Sequence, residues 1–105
     1  MRYVDIPSSF NVGGAKMEVH RVDRCDDNTE GMCFLCGGYI EIADIVNKDD
    51  MQSAGCKRNT FYHELTHAIL DTMGEKDLSA NEKFVCTFSS FLCEAMSKAR
   101  FEEEE

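Results

Sequence analysis

The residues best suited to chemistry in this chain are His63, Glu64 and His67, which lie in the segment FYHELTHAILD (residues 61–71). On an α-helix, positions i and i+4 share one face about 6 Å apart along the axis, so both imidazoles can bind a single zinc ion. Glu64 lies about 100° round the helix, where its carboxylate can take a proton from a zinc-activated water. The order His-Glu-x-x-His therefore predicts a zinc site with its own general base.

A catalytic zinc ion needs a third protein ligand, and the rest of this segment does not offer an obvious one. Asp71 continues the stripe of His63 and His67, but these three positions span about 12 Å of helix axis, too far for one ion. Asp71 is better placed to hydrogen-bond a ligand or to lie near the helix end. Glu75 and Asp77 follow in the next turn, where short connections point side chains outward.

Two candidates for the third ligand lie further away in the sequence. His20 lies on an expected strand, and Glu82 lies in the first turn of the next expected helix. Glu82 can reach the ion if the two helices pack antiparallel. A capping box with Ser79 explains Glu82 equally well without a metal. The residues alone therefore leave the third ligand open.

The front of the chain is expected to form strands. Residues 15–23 (AKMEVHRVD) alternate apolar and polar side chains, as a half-buried strand does. The segment Asn11–Gly14 predicts a turn before them, linked to a short first strand around residues 3–6 or 8–12. These patterns indicate the start of a small sheet.

A second pair of strands is expected around Gly37 and Gly38. These glycines separate two apolar runs, and a type I′ turn needs positive φ at both of its central residues. The sequence therefore predicts a hairpin here, whose second arm is the strand Tyr39–Ala43.

The back of the chain is expected to form two helices. Residues 57–73 contain no Gly or Pro, and Gly74 follows where a helix commonly ends. The second helix is expected to begin at the capping box of Ser79 and Glu82. Its apolar face consists of Phe84, Val85, Phe88, Phe91, Leu92 and Ala95.

The expected fold class is α+β, with a small N-terminal sheet of about three strands followed by an active-site helix and a glutamate helix. A single domain is expected over residues 1–98, strand-rich over 1–50 and helical over 57–98. Residues 99–105 are expected to form an acidic, disordered tail.

Composition and charge narrow the class of protein. The chain has 105 residues and a formal net charge of −9, which argues against a nucleic-acid partner because phosphate binding needs clustered Lys and Arg. Its start lacks the apolar stretch of a signal peptide, and no later run approaches membrane-spanning length, which argues against a membrane partner. The expected compartment is the cytoplasm, where thiols stay reduced.

The six cysteines are expected to be reduced thiols or metal ligands. Four of them offer a second, structural zinc site: Cys25, Cys33, Cys36 and Cys56. Cys33 and Cys36 lie in an expected strand arm with side chains on opposite sides, so joint ligation needs a knuckle. Buried or incidental thiols are therefore the default. Cys86 and Cys93 share the helix face of Glu82 and are expected to pack beneath the site.

The segment HELTHAILD is similar to the active helix of thermolysin-like gluzincin metallopeptidases, which share H-E-L-T-H-A and an aspartate at the ninth position. In that family the third ligand is a glutamate on the following helix, preceded by asparagine, as in Asn81-Glu82. Residues 82–92 (EKFVCTFSSFL) also resemble the E-x-x-A-N-x-F-A-x-x-L pattern of ImmA/IrrE-type metallopeptidases of phages and plasmids. The resemblance is specific over residues 60–92 and architectural before them.

The resemblance implies that His63, His67 and Glu82 bind zinc and that Glu64 is the general base. It also implies that an edge strand, here Tyr39–Ala43, lies beside the cleft and pairs with an extended peptide or protein substrate.

The chain departs from the family at two places. Cys86 stands where thermolysin-like enzymes carry an aspartate that braces a zinc histidine, and Asp71 or a backbone carbonyl is the alternative brace. The residue that polarises the substrate carbonyl has three candidates, Tyr62, Tyr39 and His20.

Two functions from different classes follow. The first is a zinc-dependent metallopeptidase with one zinc ion per chain and a water deprotonated by Glu64. The alternative is a catalytically weak or inactive zinc-stabilised protein-binding module, with the fourth zinc position closed by a side chain such as His20 or a cysteine. A third interpretation has no metal and treats the two helices as an ordinary interaction domain.

Overall fold

A computed structural model describes residues 2–3, 6–47 and 50–102 and confirms the α+β fold class. A four-stranded sheet in the order β2-β3-β5-β4 (Ser9–Val12, Ala15–Val22, Tyr39–Ala43, Gly31–Phe34) packs against the helix α1 (Ala54–Met73), which packs in turn against α3 (Glu82–Lys98). Two short strand pairs, β1 with β8 and β6 with β7, complete the described part. The elements in chain order are β1 (Arg2–Tyr3), β2 (Ser9–Val12), β3 (Ala15–Val22), a 3-10 turn (Asp26–Asn28), β4 (Gly31–Phe34), β5 (Tyr39–Ala43), β6 (Ile45–Val46), β7 (Asp50–Met51), α1 (Ala54–Met73), α2 (Lys76–Ser79), α3 (Glu82–Lys98) and β8 (Arg100–Phe101).

The tight two-glycine turn lies in the first hairpin and not in the second. Gly13 and Gly14 join β2 to β3 with φ of 58° and 82°, a conformation that favours glycine at both positions. The connection between β4 and β5 is a four-residue turn, Leu35–Gly38, in which only Gly38 has positive φ, 79°. The prediction of a type I′ turn at Gly37 and Gly38 is therefore wrong, although the hairpin itself forms.

The predicted position of the strand Tyr39–Ala43 at the edge of the sheet is also wrong. This strand, β5, pairs in parallel with β3 on one side and antiparallel with β4 on the other. Both of its edges are occupied, so it has no free edge for an extended peptide. The strand at that end of the described sheet is β4.

The two faces of the sheet have different roles. Met17, Ile40 and Ile42 are fully buried on the face that packs against Phe61 and Tyr62 of α1. The opposite face carries an aromatic stack, in which the Tyr39 ring lies 4.8 Å from both His20 and Phe34 between ring centroids. Alternation along the strands thus separates core residues from an outer, half-exposed face.

The helix that carries the histidines is longer than predicted. It begins at Ala54, three positions before the expected start, because the Ser53 hydroxyl accepts a hydrogen bond from the Cys56 backbone N–H at 3.1 Å. It ends at Met73, where Gly74 adopts the left-handed conformation with φ of 82°. The predicted stop at Gly74 is confirmed.

The cap of α3 differs from the prediction. Asn81 is the N-cap residue, since its side chain accepts a hydrogen bond from the Phe84 backbone N–H at 3.1 Å. Ser79 is instead the buried last residue of the short helix α2. The capping box of Ser79 and Glu82 is therefore wrong, and Glu82 has no capping role with Ser79.

Only part of the expected apolar face of α3 packs against the core. Val85 is fully buried and Leu92 is half-buried, whereas Phe88 and Phe91 are 47% and 68% exposed. Phe91 lies about 120° round the helix from Val85 and Phe88 about 60°, so both lie to one side of the stripe that Val85 and Leu92 bury.

The expected disordered tail over residues 99–105 is wrong at Arg100–Phe101, which pair antiparallel with Arg2–Tyr3. Residues 103–105 lie outside the described part of the chain.

Among the described helices, none has both the length and the apolar character of a membrane span.

Candidate metal centre and active-site cleft

The helix α1 places His63, Glu64 and His67 on the wall of an open cleft of about 710 Å³. The other walls are β4 with the loop before it, and the cleft side of α3. Glu82 and Cys86 contribute to the α3 wall because positions i and i+4 share one face of a helix. The long, uninterrupted helix and the antiparallel return of α3 therefore bring residues about 20 positions apart into one site.

The two histidines point at the same carboxylate. The Nε2 atom of His63 lies 3.7 Å from Oε1 of Glu82, and the Nε2 atom of His67 lies 3.5 Å from Oε2. The two imidazole rings are 5.0 Å apart between centroids. Of the candidates for a third ligand, Glu82 is thus the one that lies beside both histidines.

The other nitrogen of each imidazole has its own neighbour. His67 Nδ1 lies 3.0 Å from the Ser79 hydroxyl oxygen, and His63 Nδ1 lies 3.9 Å from the Cys86 sulfur. When Nδ1–H donates to these atoms, each Nε2 keeps its lone pair directed at Glu82. The neighbours of the two Nδ1 atoms are thus a hydroxyl and a thiol, and Asp71, the alternative brace named from the sequence, lies near Lys76 instead.

Glu64 is buried at the cleft, with 8% of its surface exposed. Burial, and secondarily the negative charge of Glu82, raises the pKa of Glu64 to about 7. Burial lowers the pKa of His63 and the neighbouring His67 acts in the same direction, while the charges of Glu82 and Glu30 oppose them. A carboxyl in this setting can both accept and release a proton near neutral pH.

The free edge of β4 borders the cleft. The Ala43 N–H donates to the Glu30 carbonyl at 3.0 Å, so alternation along the strand directs the N–H and C=O groups of Gly31 and Cys33 away from β5. Gly31 has no side chain, and it is its backbone that lines the cleft. These groups can pair with one more extended chain.

Gly31 is needed for this close approach of β4 to α1. A Cβ atom at this position would lie 2.5 Å from Thr60 Cγ2 and 2.9 Å from the Glu41 carbonyl oxygen. The second of these atoms belongs to the backbone and cannot swing away. The absence of a side chain thus lets the strand lie directly over the helix that carries Glu64.

The remaining candidates are not brought to the cleft. Asp71 lies 3.7 Å from Lys76 Nζ, and Tyr62 is buried in the core beside Phe61. His20 forms a 2.9 Å contact with Glu18 and stacks on Tyr39, on the outer face of the sheet. Tyr62, Tyr39 and His20 therefore have no position from which to polarise a carbonyl in this cleft. Glu75 and Asp77 are exposed residues outside its lining.

The alternative of a second metal site at four cysteines gains no support, because these cysteines form no group of neighbouring ligand atoms among the described residues. Cys25 is buried and Cys33 half-buried, whereas Cys36 and Cys56 are exposed, and all are free thiols. Burial, with smaller contributions from nearby carboxylates, raises the pKa of Cys25 to about 11 and that of Cys33 to about 12. In the metal-free protein these two thiols are protonated near neutral pH.

One group of three side chains in the described residues has ligand atoms within 4.8 Å of one another, and it consists of His63, Glu82 and Cys86. This group could hold a metal ion. Cys86 is exposed beside His63, so its expected role in packing beneath the site is wrong. The spacing of four residues between Glu82 and Cys86 was the sequence signal that Cys86 lies beside the site. No sequence pattern pointed to the contact of Ser79 with His67.

Comparisons of the chain with protein-family models, with curated proteins and with solved structures gave no match. The likeness of residues 60–92 to gluzincin metallopeptidases therefore stays a prediction.

Proposed function

We propose that this chain is a small zinc-dependent peptidase of gluzincin type that binds one zinc ion and hydrolyses peptide bonds. The observation that carries the proposal is the convergence of His63 Nε2 and His67 Nε2, at 3.7 and 3.5 Å, on the carboxylate of Glu82. Glu64 opens on the same cleft. Two imidazoles and one glutamate are the donor set of one common class of catalytic zinc site.

The chemistry of the donors suits zinc. The Nδ1 atom of His67 is hydrogen-bonded to the Ser79 hydroxyl, which leaves Nε2 as the atom that can bind a metal ion. Glu82 is exposed at the first turn of α3, so its carboxylate can rotate towards an ion without breaking a buried contact. Zinc held by these three residues would supply a Lewis acid that polarises a carbonyl and makes a water molecule acidic.

The residues of the chain would then act on water and on the peptide. Glu64 accepts a proton from the attacking water and later donates it to the nitrogen of the leaving amine. Gly31 and Cys33 hold the peptide in an extended conformation through their outward N–H and C=O groups. The peptide-binding strand is thus β4, in place of the interior strand Tyr39–Ala43.

The test compares zinc content and peptide hydrolysis in the wild type and in Glu82→Ala and Glu64→Gln. We expect one zinc ion per wild-type chain by elemental analysis of untagged protein, and its loss in Glu82→Ala. Glu64→Gln should retain zinc and lose about 10²–10⁴-fold in turnover, because it removes proton transfer and no ligand. Glu94→Gln changes an exposed glutamate of α3 outside the cleft and should leave both properties unchanged.

Two results would contradict the proposal. Full turnover in Glu64→Gln would show that Glu64 is not the general base. Zinc content unaffected by Glu82→Ala would show that Glu82 is not the third ligand. Hydrolysis of a quenched fluorescent peptide mixture provides the turnover readout without a known substrate.

A second candidate function is a zinc-stabilised binding module without useful catalysis. The observation that favours it is the position of Cys86, which shares a possible metal-binding group with His63 and Glu82. A thiolate in the fourth position would close the site. Cobalt substitution distinguishes the two functions, because a cysteine ligand adds a sulfur-to-cobalt charge-transfer band that Cys86→Ser would abolish. The peptidase proposal predicts that this band is absent in both proteins.

A further inference from the structure

The carboxylates around the cleft are not equivalent. Glu30, Glu64 and Glu82 contribute to its lining, and the lining includes no Lys or Arg. Glu64 is more than nine-tenths buried, is aimed into the cleft, and is hydrogen-bonded to no other side chain in the described part of the chain. The rest of the side chain is shielded, so the carboxylate is open to a partner on the cleft side, where a ligand can approach it.

Two of these carboxylates have a use in the proposed reaction, and the third does not. Glu82 would face a zinc ion and Glu64 would face the attacking water. The charge of a divalent ion offsets two carboxylates, which leaves the charge of Glu30 without a counter-charge in the cleft. Glu30 forms no ion pair with another described residue.

The main chain of Glu30 is held firmly although its side chain is exposed. Its carbonyl accepts hydrogen bonds from the Ala43 N–H at 3.0 Å and from the Gln52 side-chain amide at 3.3 Å. Gln52 is itself buried and accepts a 2.6 Å hydrogen bond from the Thr60 hydroxyl of α1. The backbone from which the Glu30 side chain projects is therefore fixed at the start of β4, at the rim of the cleft.

The place of Glu30 relative to β4 gives it access to a bound peptide. It immediately precedes Gly31, the first residue whose backbone groups face the cleft. A peptide paired with the free edge of β4 has residues opposite Glu30 and Met32, with side chains on the same face as theirs. Opposite charges at such positions attract and like charges repel.

We propose that Glu30 makes the cleft selective for peptides that carry Lys or Arg close to the bond that is cleaved. The inference rests on the peptidase function proposed above and adds the chemical class of its substrate. The pair is partly exposed to solvent, so the preference for a basic over a neutral residue is expected to be about two- to fivefold in kcat/KM.

The experiment uses the full-length, zinc-loaded protein and a randomised peptide mixture whose cleavage products are sequenced by mass spectrometry. The wild type should enrich Lys and Arg at one position near the cleaved bond. Glu30→Gln should abolish this enrichment, and Glu30→Lys should replace it with enrichment of Asp and Glu. Glu94→Gln makes the same charge change outside the cleft and should keep the wild-type preference.

A binding measurement separates recognition from turnover. Fluorescence anisotropy of zinc-loaded Glu64→Gln compares two labelled peptides that differ only in a central Lys-Lys or Glu-Glu pair. We expect tighter binding of the Lys peptide, and the opposite order when Glu30→Lys is added. The inference would be overturned if cleavage and binding did not depend on the charge of the peptide, or if Glu30→Lys left the preference intact. The peptidase function would stand in both cases. Neither cleavage nor binding of any peptide would overturn both.

Discussion

The α1 wall, which carries the histidine pair, and the α3 wall face each other across the cleft, but their side chains lie in opposite environments. On the α1 wall Glu64 is 8% exposed, and His67 is braced at 3.0 Å by the buried hydroxyl of Ser79. On the α3 wall the Glu82 side chain is 64% exposed, and Cys86 is an exposed thiol 3.9 Å from His63. One wall is enclosed and tightly packed, and the other is open to solvent.

The difference indicates that the two walls contribute to the site in different ways. A carboxylate on a side chain that is largely shielded from water costs stability when ionised, yet the packing around it holds it in position before any ligand arrives. An exposed carboxylate costs little and can adjust its position when an ion binds. Substitutions on the α1 side should therefore change stability and metal affinity strongly, whereas substitutions of Cys86 should act more weakly.

The largest expected effect is on the stability of the metal-free protein, through Glu64. Burial raises the pKa of Glu64 from 4.5 to about 7, so below pH 4.5 both folded and unfolded states hold the proton and nothing is lost. As pH rises from 4.5 to 7 the unfolded state ionises first, and the folded state loses stability. At about 1.4 kcal/mol per pH unit, this amounts to about 3 kcal/mol above pH 7.

Glu64→Gln removes this penalty. The free energy of unfolding of the variant should equal that of the wild type near pH 4.5 and exceed it by about 3 kcal/mol above pH 7. Denaturant unfolding with a chelator present, at a series of pH values, measures the difference. The contribution of His63 to the pH dependence cancels in this difference, because both proteins contain His63. For the control Glu94→Gln, the difference in free energy of unfolding from the wild type should not change with pH. Parallel pH curves for Glu64→Gln and wild type would show that the α1 wall carries no such cost.

The next effect concerns the brace of His67. Ser79→Ala removes the hydroxyl that orients the ring, and zinc affinity should fall about 10–100-fold by competition with a zinc-binding dye. Ser89→Ala is a matched control, because it removes a buried hydroxyl of α3 that bonds the Cys86 carbonyl and touches neither histidine. Equal losses in both variants would mean that general destabilisation, and not orientation of His67, is being measured.

The parts of the site that could be predicted from the sequence are those that depend on local spacing. His63, Glu64 and His67 share a cleft wall because helix geometry alone fixes their relation. The end of α1 at Gly74 was also predictable, since a left-handed residue at a helix end favours glycine.

The parts that could not be predicted depend on contacts between distant segments. The residues of Tyr39–Ala43 alternate in type as those of a half-buried strand do, and nothing local reveals the parallel pairing of this strand with β3. Ser79 and Asn81 are both good helix caps two positions apart. Packing of Ser79 against His67 decides between them, and that contact spans twelve residues of sequence.

The smallest expected effect tests the open wall, at Cys86. A thiol is a weak hydrogen-bond acceptor at 3.9 Å, whereas a carboxylate forms a stronger, charge-assisted bond to an imidazole N–H. Cys86→Asp should therefore raise zinc affinity about tenfold, and Cys86→Asn, its neutral isostere, should raise it by less. Cys86→Ala should lower affinity less than Ser79→Ala does, because the present contact is long and exposed. If Cys86→Ala instead abolishes zinc binding, the sulfur is a ligand, the α3 wall closes the site, and the asymmetry between the walls belongs to a structural metal centre.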